Sequence, residues 1–508
     1  MERISKGLLA TAVSVALGAP VVAHATNGMN LEGYGPIAAG MGGASMAYDN
    51  GTAAMMNNPA TIGLMGEGNR VDVALGVLGP DVDAKNVHGS ASSSLDSFLM
   101  PAIGWSRKRG QFTYGVGAFA QGGMGAEYDA GSAVDQSANG IPFSMAPTNG
   151  DYSGHEQRSE LGVGRLIFPL AYTVSDRLTV GGSIDYVWGG LDILWSMDAN
   201  NFLGGLDQMY ANPNFTPSNN RSHISGTMVD AFLGAMDPSA TNNGAGPMTA
   251  FYWGNFAFSD SSDFTQETRG DGFAGKLGFV YKVNEKLSVG GAYHAETNMS
   301  DFEGDVDMSF NVDFAGAGNQ TVPVSGKVKV VDFQWPETYG LGLAYKATDR
   351  LMVAADWKRL NWSEVMESFN MVITTDNTPT NGGFANKVLE FEYFQDWDDQ
   401  DVFQIGAAYD VTDKFTVRAG YNYASNPIPD ETVSFLFPAT IEKHYTIGAG
   451  YKFTELSSVD FSLTYAPEVK VTESSTEDAA FMGGTNATSP TTISHSQTNW
   501  QVMYSHRF

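Results

Sequence analysis

The stretch FQIGAAYDVTDKFTVRAGYNY, Phe403 to Tyr423, decides the fold. On its first arm Phe403, Ile405, Ala407, Tyr409 and Val411 alternate with Gln404, Gly406, Ala408 and Asp410. After Asp413-Lys414 the returning arm sets Phe415, Val417, Ala419, Tyr421 and Tyr423 against Thr416, Arg418, Gly420 and Asn422. Alternation with period two marks a strand with unlike faces, so this is a β-hairpin with one apolar face and one small or polar face. Its tip recurs along the chain. Tyr172, Tyr281, Tyr345 and Tyr409 are each followed six positions later by Leu178, Leu287, Leu351 and Phe415. Asp176-Arg177, Glu285-Lys286, Asp349-Arg350 and Asp413-Lys414 form the polar turn between them. Looser copies lie at Trp105 to Phe112 and Tyr451 to Phe461.

Six such hairpins, one strand before them (Val71, Val73, Leu75, Val77) and one after them give an expected total of fourteen strands. Long inserts fall only at every second connection. Even strand number, short turns on one side, long loops on the other and a tyrosine near each turn describe an antiparallel transmembrane β-barrel with an aromatic girdle. A soluble β-sandwich also alternates but does not explain the placement of the inserts. The last strand puts Trp500, Val502, Tyr504, His506 and Phe508 on one face, the aromatic pattern that outer-membrane assembly machinery reads.

Composition agrees. The 508 residues include 59 glycines and no cysteine, with 17% charged residues and a formal charge of −28. Soluble chains average about 25% charged residues. An acid-rich chain without clustered Lys and Arg excludes nucleic acid as a partner, and the lack of cysteine excludes disulfides and thiolate metal sites. At the N-terminus Arg3 and Lys6 precede an apolar run from Gly7 to Val22 and the cleavage pattern Ala23-His24-Ala25. Residues 1–25 therefore read as a cleaved signal peptide and the protein as exported.

Residues 26–70 neither alternate nor form long helices. They are dense in small apolar residues: Gly40, Met41, Gly42, Gly43 and Ala44, then Ala53 to Met56 and Asn57 to Ala60. A polar linker has a different composition. Eight strands already leave an interior that side chains fill, so a wider barrel needs a plug. These residues are read as that hatch, and residues 71–508 as the barrel.

With signal peptide, hatch, strand count and Phe508 in place, the chain resembles the FadL/TodX family of outer-membrane long-chain fatty-acid and hydrocarbon transporters. The motifs that carry the resemblance are Gly40, Gly42 and Gly43, and Asn58-Pro59-Ala60 just before the first strand. The resemblance implies a monomeric bacterial outer-membrane channel surrounded by membrane lipid and lipopolysaccharide. It also implies capture of a hydrophobic small molecule in an external groove, transfer to a lumenal pocket, and hatch-gated release sideways through the wall. Long-chain fatty acids are the expected ligands and neutral aromatic or aliphatic hydrocarbons the alternative. No cofactor is expected.

The longest external connection, 191–271, is rich in apolar residues. Trp195, Met197, Phe202, Leu203, Leu206 and Met209, with Phe232 and Leu233, read as a lid over the mouth whose surface holds the capture groove. Phe202, Leu206 and Met209 follow helical spacing, as do Val229, Phe232, Leu233 and Met236, while Phe251 to Phe258 form an aromatic run. By parity Arg165, Lys276, Lys358 and Arg418 point into the lumen, as cationic partners for a carboxylate ligand or as ion pairs with inward Asp185, Asp356 or Asp410. Strand three loses its pattern at Gln121-Gly122-Gly123-Met124-Gly125. Glycine inside a strand often marks a bend, so Gly122 and Gly123 are the expected lateral gate, against a plain strand end. The run Asp396 to Asp401 lacks calcium-loop spacing and reads as solvated charge. An enzyme is the rival from another class, but no G-x-S-x-G or H-E-x-x-H motif occurs. A general porin needs an open lumen, and an adhesin leaves no distinguishing signal.

Overall fold

A computed structural model describes residues 27–86, 89–134, 141–142, 154–198, 202, 222–260, 262, 265–473 and 491–508. The expected signal peptide (1–25) and Leu203, Leu206 and Met209 lie outside these residues.

Sixteen antiparallel strands close on themselves. They are β1 (Gly68–Leu78), β2 (Phe98–Arg109), β3 (Phe112–Tyr128), β4 (Gln157–Thr173), β5 (Leu178–Asp198), β6 (Met248–Phe258), β7 (Thr268–Lys282) and β8 (Leu287–His294). They continue as β9 (Phe302–Phe314), β10 (Thr338–Lys346), β11 (Leu351–Leu360), β12 (Gln400–Asp410), β13 (Phe415–Ala424), β14 (Lys443–Thr454), β15 (Ser457–Thr472) and β16 (Thr492–Arg507). Pairing runs in chain order from β1 to β6, passes through β9 back to β7 and β8, and then goes from β10 to β16. β16 returns to β1, with Val71 opposite His506 and Val77 opposite Trp500.

The circuit corrects the expected count of fourteen. Two segments taken for external loop supply the extra strands, β6 inside 191–271 and β9 beyond β8. β5 also pairs directly with β7 from Leu178↔Tyr281 to Leu191↔Thr268. β6 and β9 therefore enter only at the outer end, where β9 reaches β7 at Arg269↔Glu303. From β9 the sheet continues outward through 318–331, 368–375, 388–394 and 222–225. The helix Thr227–Met236 packs Met228, Val229 and Phe232 against it.

The burial pattern inverts that of a soluble protein. On the outward face Ile184 is 67% exposed and Leu277 66%. Their neighbours Asp185 and Lys276 are buried inside. An apolar belt facing out and charge facing in fit hydrocarbon outside and a polar lumen within. Among the described residues no helix is long and apolar enough to cross a membrane.

Candidate functional site: the lumen, its plug and an interrupted wall

Residues 27–67 sit inside the circuit and touch nearly every side of it. The short helix Ala54–Asn57 leads into a 3-10 turn, Pro59–Leu64, capped by Asn58, whose Oδ1 accepts the Ala60 N–H at 3.1 Å. Pro59 begins this turn, where its missing N–H costs nothing. The Asn58 amide also donates to the Met46 carbonyl at 2.8 Å and the Phe279 carbonyl of β7 at 3.1 Å. One side chain thus ties the turn, the rest of the plug and the wall together.

Across the lumen the wall is stripped of side chains to admit the plug backbone. A Cβ on Gly420 would strike the Gly42 nitrogen, one on Gly406 would strike Met41, and one on Gly448 would press on Gly40. Gly42 and Gly43 have φ of 69° and 89°, the left-handed region that glycine adopts without penalty. Polar anchors fill the remaining contacts. Thr446 Oγ1 accepts the Gly42 N–H at 3.0 Å, and Asp356 accepts the Ser45 and Met46 N–H groups at 2.6 and 3.0 Å. Near the seam Asp49 meets Arg70 at 2.7 Å and Arg507 at 3.7 Å. Burial alone would raise the Asp49 pKa, but these cations and the Gly51 N–H hold it below the ordinary carboxylate range.

Three of the inward cations, Arg165, Lys276 and Arg418, are committed. Asp185 accepts from both Arg165, at 3.0 Å, and Lys276, while Arg165 also donates to Gln121. Arg418 pairs with Asp460 at 2.8 Å, not with Asp410, which lies at the turn and accepts from Thr416. Lys358 has no carboxylate within 4 Å among the described residues. Arg165, Lys276 and Lys358 border one cavity of about 40 Å³ with Asn30, Tyr34 and Asn57, room for a few water molecules. Burial raises the pKa of the Tyr34 hydroxyl, which stays neutral and donates to the Gln121 carbonyl at 2.6 Å. A second cavity of about 30 Å³ shares Leu31 and Tyr34 but is bordered mainly by apolar residues, Ala53, Ala102, Ile103, Phe119 and Ala120, together with Thr52, Asp72 and Gln501. Leu31 and Tyr34 divide a cationic chamber from a mainly apolar one.

The apolar chamber faces a break in the wall. β2 and β3 pair from Arg109↔Phe112 to Ala102↔Phe119, and their ladder ends there. β3 does not end: it runs to Tyr128 on β4, with a register shift between Ala120 and Gly122 that leaves Gln121 unpaired. Leu78, Phe98, Met100 and Ala120, with Leu31 from the plug, form an apolar cluster at this gap. Gly122 touches the plug through a bridge to Asn30, and a Cβ on it would meet the Met29 carbonyl and the Trp335 ring.

The residues expected at a capture groove are mostly core. Met197, Phe202 and Phe232 are each 2% exposed, and the Phe202 ring lies 5.1 Å from Phe251 and 5.5 Å from Phe232. Trp195 and Leu233 are half-buried on the same cluster. Asp399 and Asp401 pair with Arg359 at 2.8 and 3.0 Å. No group of three or more His, Asp or Glu side chains among the described residues is arranged to hold a metal. Sequence reasoning missed a file of buried tryptophans. Trp335 donates to Asn30 of the plug at 3.0 Å, stands 5.8 Å from Trp362, and Trp362 stands 5.3 Å from Trp397. Each is an isolated tryptophan in a polar external connection, which is the one signal that pointed to them.

The family model of the outer membrane protein transport protein (OMPP1/FadL/TodX) matches residues 12–505. The toluene transporter TodX of Pseudomonas putida is 27% identical, with TM-score 0.73 over 94% of this chain and 99% of that one. The toluene transporter TbuX of Ralstonia pickettii is 29% identical, with TM-score 0.68 over the same shares. Outer membrane protein P1 of Haemophilus influenzae is 28% identical over 39% of this chain and 39% of its own length. An uncharacterized Chlorobium limicola protein is 51% identical over 15% of this chain and 38% of its own length. The chain thus spans well under half the length of these curated relatives. The family match, the closed barrel and the interior plug lead to one conclusion: the chain belongs to the OMPP1/FadL/TodX family of outer-membrane proteins.

Proposed function

We propose that the protein takes up hydrophobic compounds across the outer membrane and releases them sideways. The observation that carries this reading is the apolar chamber behind the gap between β2 and β3. An apolar molecule leaving there stays in hydrocarbon, whereas one released downward enters water. Residues 27–67 act as the hatch, held by Asn58, Pro59 and Ala60, and Gly122 and Gly123 form the flexible edge of the gate. Neutral hydrocarbons are the favoured cargo, because Arg165 and Lys276 already share Asp185 and TodX and TbuX are toluene transporters. Lys358, which has no ion pair among the described residues, supports the second reading, a fatty-acid carboxylate.

Cells lacking their own uptake channel and expressing this chain should accumulate labelled toluene faster than controls. The purified protein should be nearly silent in a planar bilayer, whereas a steady open conductance would make it a porin. Competition by a long-chain fatty acid decides between the two cargoes.

A further inference from the structure

Above the hatch the lumen wall changes character. At hatch level the plug itself supplies partners: Thr446 takes the Gly42 N–H, and Thr464 donates to Glu32 at 2.7 Å, while Gln404 Oε1, Ser462 Oγ and Asn499 Nδ2 there stay unpaired among the described residues. Farther out on β13, β14 and β16, Asn422, His444, His495 and Gln497 are each at most 2% exposed. Even so, Asn422 Nδ2, the His444 and His495 Nε2 atoms and both Gln497 amide atoms have no hydrogen-bond partner among the described residues. A buried polar atom left unpaired costs about 1–3 kcal/mol. So many on one wall need a common explanation.

The register makes them one surface. Asn422 lies opposite His444, Ala466 opposite Gln497, and Val469 opposite His495. The cover is the connection 425–442, which crosses the barrel mouth. Its Phe435 carbonyl accepts from Tyr128 at 3.1 Å, its Leu436 carbonyl from Ser159, and its Pro438 carbonyl from His495 Nδ1 at 2.7 Å. Ile428, Val433, Leu436, Ala439 and Ile441 are buried apolar side chains of this connection and give the wall's polar atoms no partner, a mismatch relieved when something else takes the strap's place.

The chemistry of the wall specifies what that is. His495 donates through Nδ1 to a carbonyl, and His444 Nδ1 faces the Asn422 oxygen at 3.1 Å. Each ring therefore offers Nε2 as an acceptor. Gln497 and Asn422 offer amide N–H donors. Acceptors beside donors, with no charged side chain among them, match a group that donates and accepts at once. We propose that this wall is a second binding site, for the hydroxyl of an uncharged apolar alcohol or phenol. A hydrocarbon leaves the wall unpaired, and a carboxylate has no proton to give the imidazoles.

This inference rests on the transport reading, and one experiment separates them. The purified full chain is titrated calorimetrically with toluene and with p-cresol, which differ by one hydroxyl. The wild type should bind p-cresol more tightly. His444→Leu with Gln497→Leu should weaken p-cresol about five- to tenfold and leave toluene unchanged. Gln497 has no partner among the described residues to lose, and His444 loses only its contact with Asn422. The unchanged toluene affinity reports that the lumen is intact. Equal affinities in the wild type, or equal loss of both ligands in the variant, overturns the site. Binding of toluene alone overturns the site and leaves transport standing, and binding of neither compound sinks both.

Discussion

The walls at β10–β14 and at β2–β3 are built from the same hairpins and treat the plug in opposite ways. On the first side the ladders are continuous, glycines admit the plug backbone, and Asp356 and Thr446 hold it. On the second the ladder stops at Ala102↔Phe119 and apolar side chains line the opening. A barrel wall resists change because each strand's backbone groups are satisfied by its neighbours. Removing those bonds from one short stretch confines movement to that stretch. The plug is anchored where the wall is firm and faces a chamber where it is not.

Gly420→Val should break this contrast most severely. Its side chain would overlap the Gly42 backbone, which has no rotamer with which to yield. A loss of about 3 kcal/mol should appear as a lowered melting temperature and an open conductance. Gly122→Val attacks the other side by pressing on Met29 and Trp335. Uptake should slow about tenfold, equivalent to about 1.4 kcal/mol, while ligand binding stays at the wild-type level. Loss of binding would move the effect from the gate to the chamber.

Asn58→Ala removes the donor that Met46 and Phe279 share. It should cost about 2 kcal/mol, raise channel noise and impair uptake, with the barrel's gel mobility unchanged. The smallest effect is at Asp49. Its pKa is lowered in the fold, so its contribution is full at neutral pH and is lost only as pH falls through that lowered value. Asp49→Asn should therefore show at neutral pH the hatch leakiness that the wild type shows only in acid.

The barrel hairpins were legible because lipid outside and plug inside impose unlike faces on every strand. β6 was not: both its faces are covered, so Phe251 to Phe258 carry no alternation and a continuous apolar run does not name its own structure. β9 does alternate, through Val306, Met308, Phe310 and Val312, but it lies within a stretch already assigned to loop. At the site, parity placed Arg165, Lys276 and Arg418 inward. It did not give Arg418 its partner Asp460, since that depends on how β13, β14 and β15 stack, which no local pattern records. Asn58 was legible as part of the hatch motif, but its bond to Phe279 crosses 221 residues of sequence.

The central claim, sideways release between β2 and β3, is tested most directly by closing the gap. The chain has no cysteine, so Met100→Cys with Gln121→Cys introduces the only two thiols, one on each side of the break. Joined by a reducible thiol-specific cross-linker, the protein should lose toluene uptake to the level of cells without the channel, and reductant should restore it. Uptake that continues undiminished with the two strands fully linked would contradict the account.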